Sequence, residues 1–281
     1  MKISSPLRVV SRSTRFLIFI AGAIARRSLA LTISKKARTL RAAAEWLQET
    51  AEGCRRILGL EPRTFGPLPT RGLLVANHLG YLDIILLAAL RPCVFVSKSD
   101  VGSWPIFGQC ASLGSTIFVD RDRRTGVSSV VGRMRAALEE GLLIVLFPEG
   151  TSSGGNRVLP FRSALLEPAL ELGCPVTAAA IGYSLKEGSV SDEICYWRDM
   201  TLLPHLLNVW SKPAIQASLR CGVPRPRGGD RKSLAIELHD EVAALHAASA
   251  RELGVGPLDP VQEPVPVLSN RLPAAAETQR P

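Results

Sequence analysis

The chain has 281 residues, 46% of them hydrophobic, which suits one large or two small domains with a sizeable core. Its net charge of +9 lies entirely in residues 1–60, with 12 Lys and Arg against 3 Asp and Glu; the remaining chain holds 22 of each. The balanced body speaks against a nucleic-acid partner, whose cleft would carry positive charge. Six scattered cysteines with no C-x-x-C pair speak against a disulfide framework or a metal site, and for a reducing compartment.

In chain order, Phe16 to Ala25 is apolar for ten residues and then meets Arg26-Arg27. A spanning helix needs about 20 apolar residues, and a stretch extended to Ile33 would carry both arginines inside it. A basic start and a short apolar core also fit a signal peptide, but more basic helix follows. Over residues 36–58, Leu40, Ala43, Leu47, Ala51, Cys54 and Leu58 recur at helical spacing among Lys36, Arg38, Arg41, Arg55 and Arg56. Trp46 is placed for the headgroup level of a bilayer. Residues 1–60 therefore read as a basic amphipathic membrane-association segment on an anionic, cytoplasmic-face surface. The alternative is a helix packed on the protein's own core.

Residues 61–71, with Pro62, Gly66, Pro67 and Pro69, read as a linker. Beyond it, short apolar runs alternate with helical segments. Strands are predicted over 72–76, 93–97, 115–119, 142–147, 176–181, 193–197 and 214–220. Helices are predicted over 82–90, 105–112, 126–140, 163–172, 202–210 and 231–250. This alternation predicts one α/β domain, residues 61–253, with a mixed, largely parallel sheet flanked by helices. Ser191 to Trp197 suits an antiparallel edge. Residues 254–281, rich in Pro, Ala, Gln and Glu, read as a disordered tail.

Three segments join polar groups to predicted strand ends. In Ala76-Asn77-His78-Leu79-Gly80-Tyr81-Leu82-Asp83, a histidine and an aspartate lie where a strand gives way to a helix. A carboxylate on one imidazole nitrogen would fix the tautomer and leave the other nitrogen free as a base. The same pattern also fits a capped turn with a satisfied polar neighbour. Asp120-Arg121-Asp122-Arg123-Arg124 follows a predicted strand, and an arginine there presents a planar fork to a phosphate, although a solvated charged turn reads the same way. The run Leu142 to Phe147 enters Pro148-Glu149-Gly150-Thr151-Ser152-Ser153, small polar residues that let a ligand approach the backbone closely. No phosphate-binding glycine loop and no G-x-S-x-G elbow occurs.

Taken together, these segments resemble the glycerolipid acyltransferases, particularly the bacterial 1-acyl-sn-glycerol-3-phosphate acyltransferases. That family is marked by N-H-x-x-x-x-D, here Asn77-His78 to Asp83, then by F-[IV]-x-R, here Phe118 to Arg121. Its third block, F-P-E-G-T, is Phe147 to Thr151, and its fourth, a proline in an apolar strand, is Cys174-Pro175-Val176. The ordered set covers roughly residues 60–220. The resemblance implies His78 as general base and Asp83 as its support. Asn77, Arg121, Glu149, Gly150, Thr151 and Pro175 would shape substrate binding, with Arg121 on the phosphate. It implies transfer of an acyl group from acyl-CoA or acyl carrier protein to lysophosphatidic acid at a membrane surface, without metal or other cofactor. The family's third block commonly continues Arg-Ser, where this chain has Ser152-Ser153, and Ala164 replaces a usual glycine. Both differences bear on the acceptor, so another lysolipid such as lyso-ornithine lipid is the alternative, and a non-catalytic lipid-binding module is the rival from another class.

Overall fold

A computed structural model describes residues 3–119 and 124–252; Arg121, the expected phosphate ligand, and the expected tail 254–281 lie outside them. Two helices open the chain, α1 (Pro6–Ile33) and α2 (Leu40–Leu58), followed by β1 (Leu60–Phe65) and β2 (Gly72–Ala76). Then come α3 (Tyr81–Leu90), β3 (Val94–Lys98), α4 (Phe107–Leu113), β4 (Ile117–Val119), α5 (Arg124–Glu139) and β5 (Leu143–Leu146). The last third holds α6 (Glu167–Glu171), β6 (Val176–Ser184), α7 (Val190–Glu193), α8 (Leu202–Ser211), β7 (Ile215–Cys221) and α9 (Arg231–Glu252).

The strands form one sheet in the order β1-β7-β6-β2-β5-β3-β4. Every pair is parallel except β6 with β7. Parallel strands covered on both faces need side chains that are apolar throughout, and β2 and β5 comply, being buried along their whole length. Side chains alternate between faces. Leu74 and Ala76 join the core beneath α1, α2, α3 and α8, while Leu73 and Val75 join the core beneath α5, α6 and α9.

Two expectations need correction. Residues 61–71 are not all linker, because β1 pairs in parallel with β7 at the sheet edge. Pro62 is tolerated there since an edge strand leaves one row of N–H groups unneeded. Residues 193–197 are not a strand. Ile194, Cys195 and Trp197 are buried in a loop whose Tyr196 N–H donates to Leu79 O at 2.8 Å, so tertiary packing overrides the aromatic-rich propensity.

The N-terminal pair is also built differently from the expectation. The apolar stripe of α2 faces the core, and Trp46 is buried with its Nε1–H donating to Ala23 O at 3.1 Å; it does not sit at a headgroup level. α1 packs on α2 through Phe16, Ile20 and Ala23. Its basic N-terminal half docks on the C-terminal end of α8, where Arg8 donates to Ser211 O at 2.5 Å and Arg12 to Lys212 O at 2.6 Å. Cations favour that end of a helix, where carbonyls are unsatisfied. Leu7, Val10, Leu17, Ile18, Leu29 and Ile33 are exposed on the opposite side of α1. The helix is long and apolar enough to cross a membrane.

At Gly53 the ring of Phe19 fills the space that a Cβ would need, 2.0 Å away. Gly53→Val is expected to lift α1 from α2 and destabilise the fold by about 2 kcal/mol, read as a lowered urea midpoint with an unchanged m-value.

Candidate active site

β2 ends at Ala76, and the next two residues set the site. Asn77 is buried and spends its side chain on the backbone of β6: Nδ2 donates to Ile181 O at 3.0 Å and Oδ1 accepts from Ile181 N at 2.8 Å. With both polar atoms so engaged, Asn77 clasps two strands. The chain then turns at Gly80, whose φ of +150° favours glycine and whose missing Cβ leaves room for Tyr196 at 2.9 Å.

That turn delivers Asp83, in the first turn of α3, to His78. Asp83 is fully buried. Its Oδ2 accepts from His78 Nδ1 at 2.8 Å, from Leu79 N at 2.6 Å and from Gly80 N at 3.0 Å. Its Oδ1 accepts from the Tyr183 hydroxyl at 2.7 Å. A carboxylate can only accept here, so His78 carries its proton on Nδ1 and leaves Nε2 without one. The imidazole is partly exposed and stacks on Phe147, with ring centroids 4.2 Å apart. His78 O accepts from Ser153 N at 2.9 Å, which ties the loop after β5 to the same turn.

Glu149 lies in that loop and is buried. Its carboxyl oxygens close no good hydrogen bond, although the amides of His78 and Leu159 lie near enough to favour a charge. Burial, reinforced by the Asp83 charge, pushes its pKa up to about 8, so the group is neutral at pH 7. Gly150, with φ of +74°, and the exposed Thr151 line the mouth of a cavity beside His78. Ser152, where the family pattern has arginine, donates its hydroxyl to Tyr196 O at 2.5 Å. Pro175 is elsewhere. It precedes β6, its carbonyl accepting from Leu73 N at 2.9 Å. β6 runs parallel to β2, so Pro175 sits at the opposite end of the sheet from His78. It stands immediately before the first residue of β6.

From His78 an apolar cavity of about 320 Å³ runs inward. Its walls include Phe16 and Ile20 of α1, Ala51 and Cys54 of α2, Ile85 of α3 and Phe107 of α4. Burial pushes the thiols of Cys54 and Cys110 up to about 12 and 11, so neither is a nucleophile at neutral pH. Among the described residues no cluster of His, Cys, Asp and Glu suits a metal ion.

Two site elements lie beyond the reach of the sequence pattern. Tyr183 reaches Asp83 from 100 residues away. His205 is buried between Tyr81 and Cys195: its Nε2–H donates to Cys195 O at 3.1 Å and its Nδ1 accepts from the Tyr81 hydroxyl at 2.8 Å. Burial pushes its pKa down to about 4, which keeps it neutral.

Comparison with known proteins identifies the family and the fold. A family model described as "Acyltransferase" matches residues 64–182. A lyso-ornithine lipid O-acyltransferase of Brucella abortus is 37% identical over 208 residues, 68% of this chain and 77% of the relative. A 1-acyl-sn-glycerol-3-phosphate acyltransferase of Neisseria gonorrhoeae is 28% identical over 203 residues, 69% of this chain and 76% of the relative. The fold matches the crystal structure of the 1-acyl-sn-glycerophosphate acyltransferase PlsC of Thermotoga maritima, with a TM-score of 0.63 and 19% identity over 86% of this chain and 93% of that one.

The raised pKa of Glu149 has a stability consequence. The unfolded carboxyl ionises near 4.5 and the folded one near 8, so the folded state binds the extra proton between those values. Wild-type stability is therefore lost progressively as pH rises through that window, relative to a variant with no titrating group. The stability of Glu149→Gln relative to wild type is expected to increase from pH 4.5 to 8 and level off above it, as read by urea unfolding at a series of pH values.

Proposed function

The chain belongs to the acyltransferase family, and from that premise we propose that it is a membrane-surface O-acyltransferase whose acceptor is lyso-ornithine lipid. The reaction rests on one observation: His78 is held through Nδ1 by a buried carboxylate, while its Nε2 has no partner among the described residues at the mouth of an apolar cavity. The acceptor hydroxyl gives its proton to Nε2 and attacks the thioester carbonyl of the donor, acyl-CoA or acyl carrier protein. The new C–O bond forms directly, without an acyl-enzyme, in keeping with cavity thiols that stay protonated. The tetrahedral intermediate collapses with loss of the C–S bond, and the imidazolium returns the proton to the leaving sulfur. Asp83 stabilises the imidazolium and holds the ring. The cavity takes the acyl chain, and Gly150 and Thr151 border the acceptor.

Two observations favour lyso-ornithine lipid over lysophosphatidic acid, the acceptor that the sequence resemblance puts first. Relatives carrying the lyso-ornithine name are 34 to 37% identical, against 28% for the Neisseria relative. Ser152 stands where the family's pattern commonly puts an arginine, and its hydroxyl is turned to Tyr196. An ornithine headgroup carries a carboxylate and an ammonium instead of a phosphate dianion, and so has less need of a cation there. Arg121, with phosphate binding as its proposed role, is the feature that keeps lysophosphatidic acid as the second reading.

With labelled acyl-CoA and equimolar lysolipids, purified protein is expected to acylate lyso-ornithine lipid at least about tenfold faster than lysophosphatidic acid, a difference of about 1.4 kcal/mol. The reverse preference would restore phosphatidic acid as the product. His78→Ala is expected to lower the rate by about 100-fold or more; undiminished transfer would remove the assigned base.

The exposed stripe on α1 supports docking on a membrane. Leu17→Asp with Ile18→Asp is expected to shift the protein from the membrane to the soluble fraction on flotation, with its thermal unfolding unchanged, since both side chains point away from the core. Unchanged flotation would place the membrane contact elsewhere.

A further inference from the structure

The hydroxyl of Tyr183 is buried on β6 and meets the one oxygen of Asp83 that His78 does not use, at 2.7 Å. Asn77 fixes this encounter, because its clasp on Ile181 sets the register of β6 two residues before Tyr183, on the same face of the strand. We propose that Tyr183 is a positioning residue that sets the basicity of His78 through Asp83. This rests on the reading of His78 as the base.

The electrostatics run in one direction. A hydrogen bond donated to a carboxylate withdraws part of its negative charge. Asp83 then stabilises the imidazolium less than a carboxylate with one free oxygen would. The bond therefore moderates how strongly Asp83 favours a charged over a neutral imidazole. Tyr183 cannot relinquish its proton for this role: burial and the Asp83 charge push its own pKa well above the usual tyrosine value. The same bond keeps Oδ1 from being left unpaired in the core, where an orphan charged oxygen is costly.

The other titratable groups around the pair do not compete over the relevant range. Glu149, from the loop after β5, has its pKa pushed up to about 8 and stays largely protonated on the acid side of that value. Cys195, from the loop before α8, is pushed up by burial and by Asp83. Tyr81 of α3 is pushed up by burial and donates to His205 of α8, which burial keeps neutral.

The test compares full-length wild type, Tyr183→Phe, and protein with 3,5-difluorotyrosine at position 183, whose hydroxyl is a stronger donor. The pH profile of kcat/KM is measured with acyl-CoA and lysolipid in mixed micelles. Removing the hydroxyl is expected to move the acid limb to higher pH by about one unit and to lower kcat at neutral pH by about tenfold, with KM for both substrates little changed. Fluorination is expected to move the limb to lower pH. A merely structural role would leave the limb of either active protein where it is in wild type, and that result, or movement in the same direction for both, overturns the proposal. If Tyr183→Phe does not fold, the fluorinated protein alone decides. A His78→Ala protein with undiminished activity would instead overturn the base assignment and this tuning role with it, so the two failures are told apart.

Discussion

A buried aspartate with four donors is the constraint on which the site depends. Asp83 contributes no exposed surface and accepts from two backbone amides, one imidazole and one phenol. A charged carboxylate in a core is costly unless its oxygens are satisfied. That requirement forces the turn at Gly80, the close approach of Tyr196, and the register of β6 that brings Tyr183 into reach. The imidazole is aimed at the cavity as a consequence. In the proposed mechanism this held geometry would be the kind of preorganisation that lowers a proton-transfer barrier.

The second dependency joins membrane and chemistry. One side of α1 supplies Phe16 and Ile20 to the cavity wall, while the other carries the exposed apolar stripe. Arg8 and Arg12 fasten the same helix to the C-terminal end of α8. On the function proposed above, bilayer contact and acyl-chain site would be opposite faces of one helix. This is why residues 1–60 are poorly described as an appendage: α2 sends its apolar stripe into the domain, and Trp46 spends its indole N–H on α1.

Much of this was legible in the chain. The alternation of apolar runs predicts the mixed sheet, and N-H-x-x-x-x-D predicts a histidine and aspartate at a strand-to-helix turn, as found. Local pattern fails where long-range packing decides. The stretch Ile194-Cys195-Tyr196-Trp197 has the composition of a strand but is folded as a loop against Gly80. The stripe of α2 has the same period whether it meets lipid or core, so sequence alone could not separate the two. Asn77 and Pro175 stand in motif blocks, and the contacts they make with the sheet, to Ile181 and Leu73, are set by strand pairing that a local motif does not show. Tyr183 carries no local signal, because its partner is 100 residues away and the link is a strand register.

The most direct test is the protonation of His78 itself. In protein labelled with ¹⁵N-histidine and held in micelles at neutral pH, the signal lost in His78→Gln should show Nδ1 carrying the proton and Nε2 bare. That pattern should persist when lysolipid binds without donor. A proton on Nε2, with Nδ1 bare beside Asp83, would contradict the account at its centre.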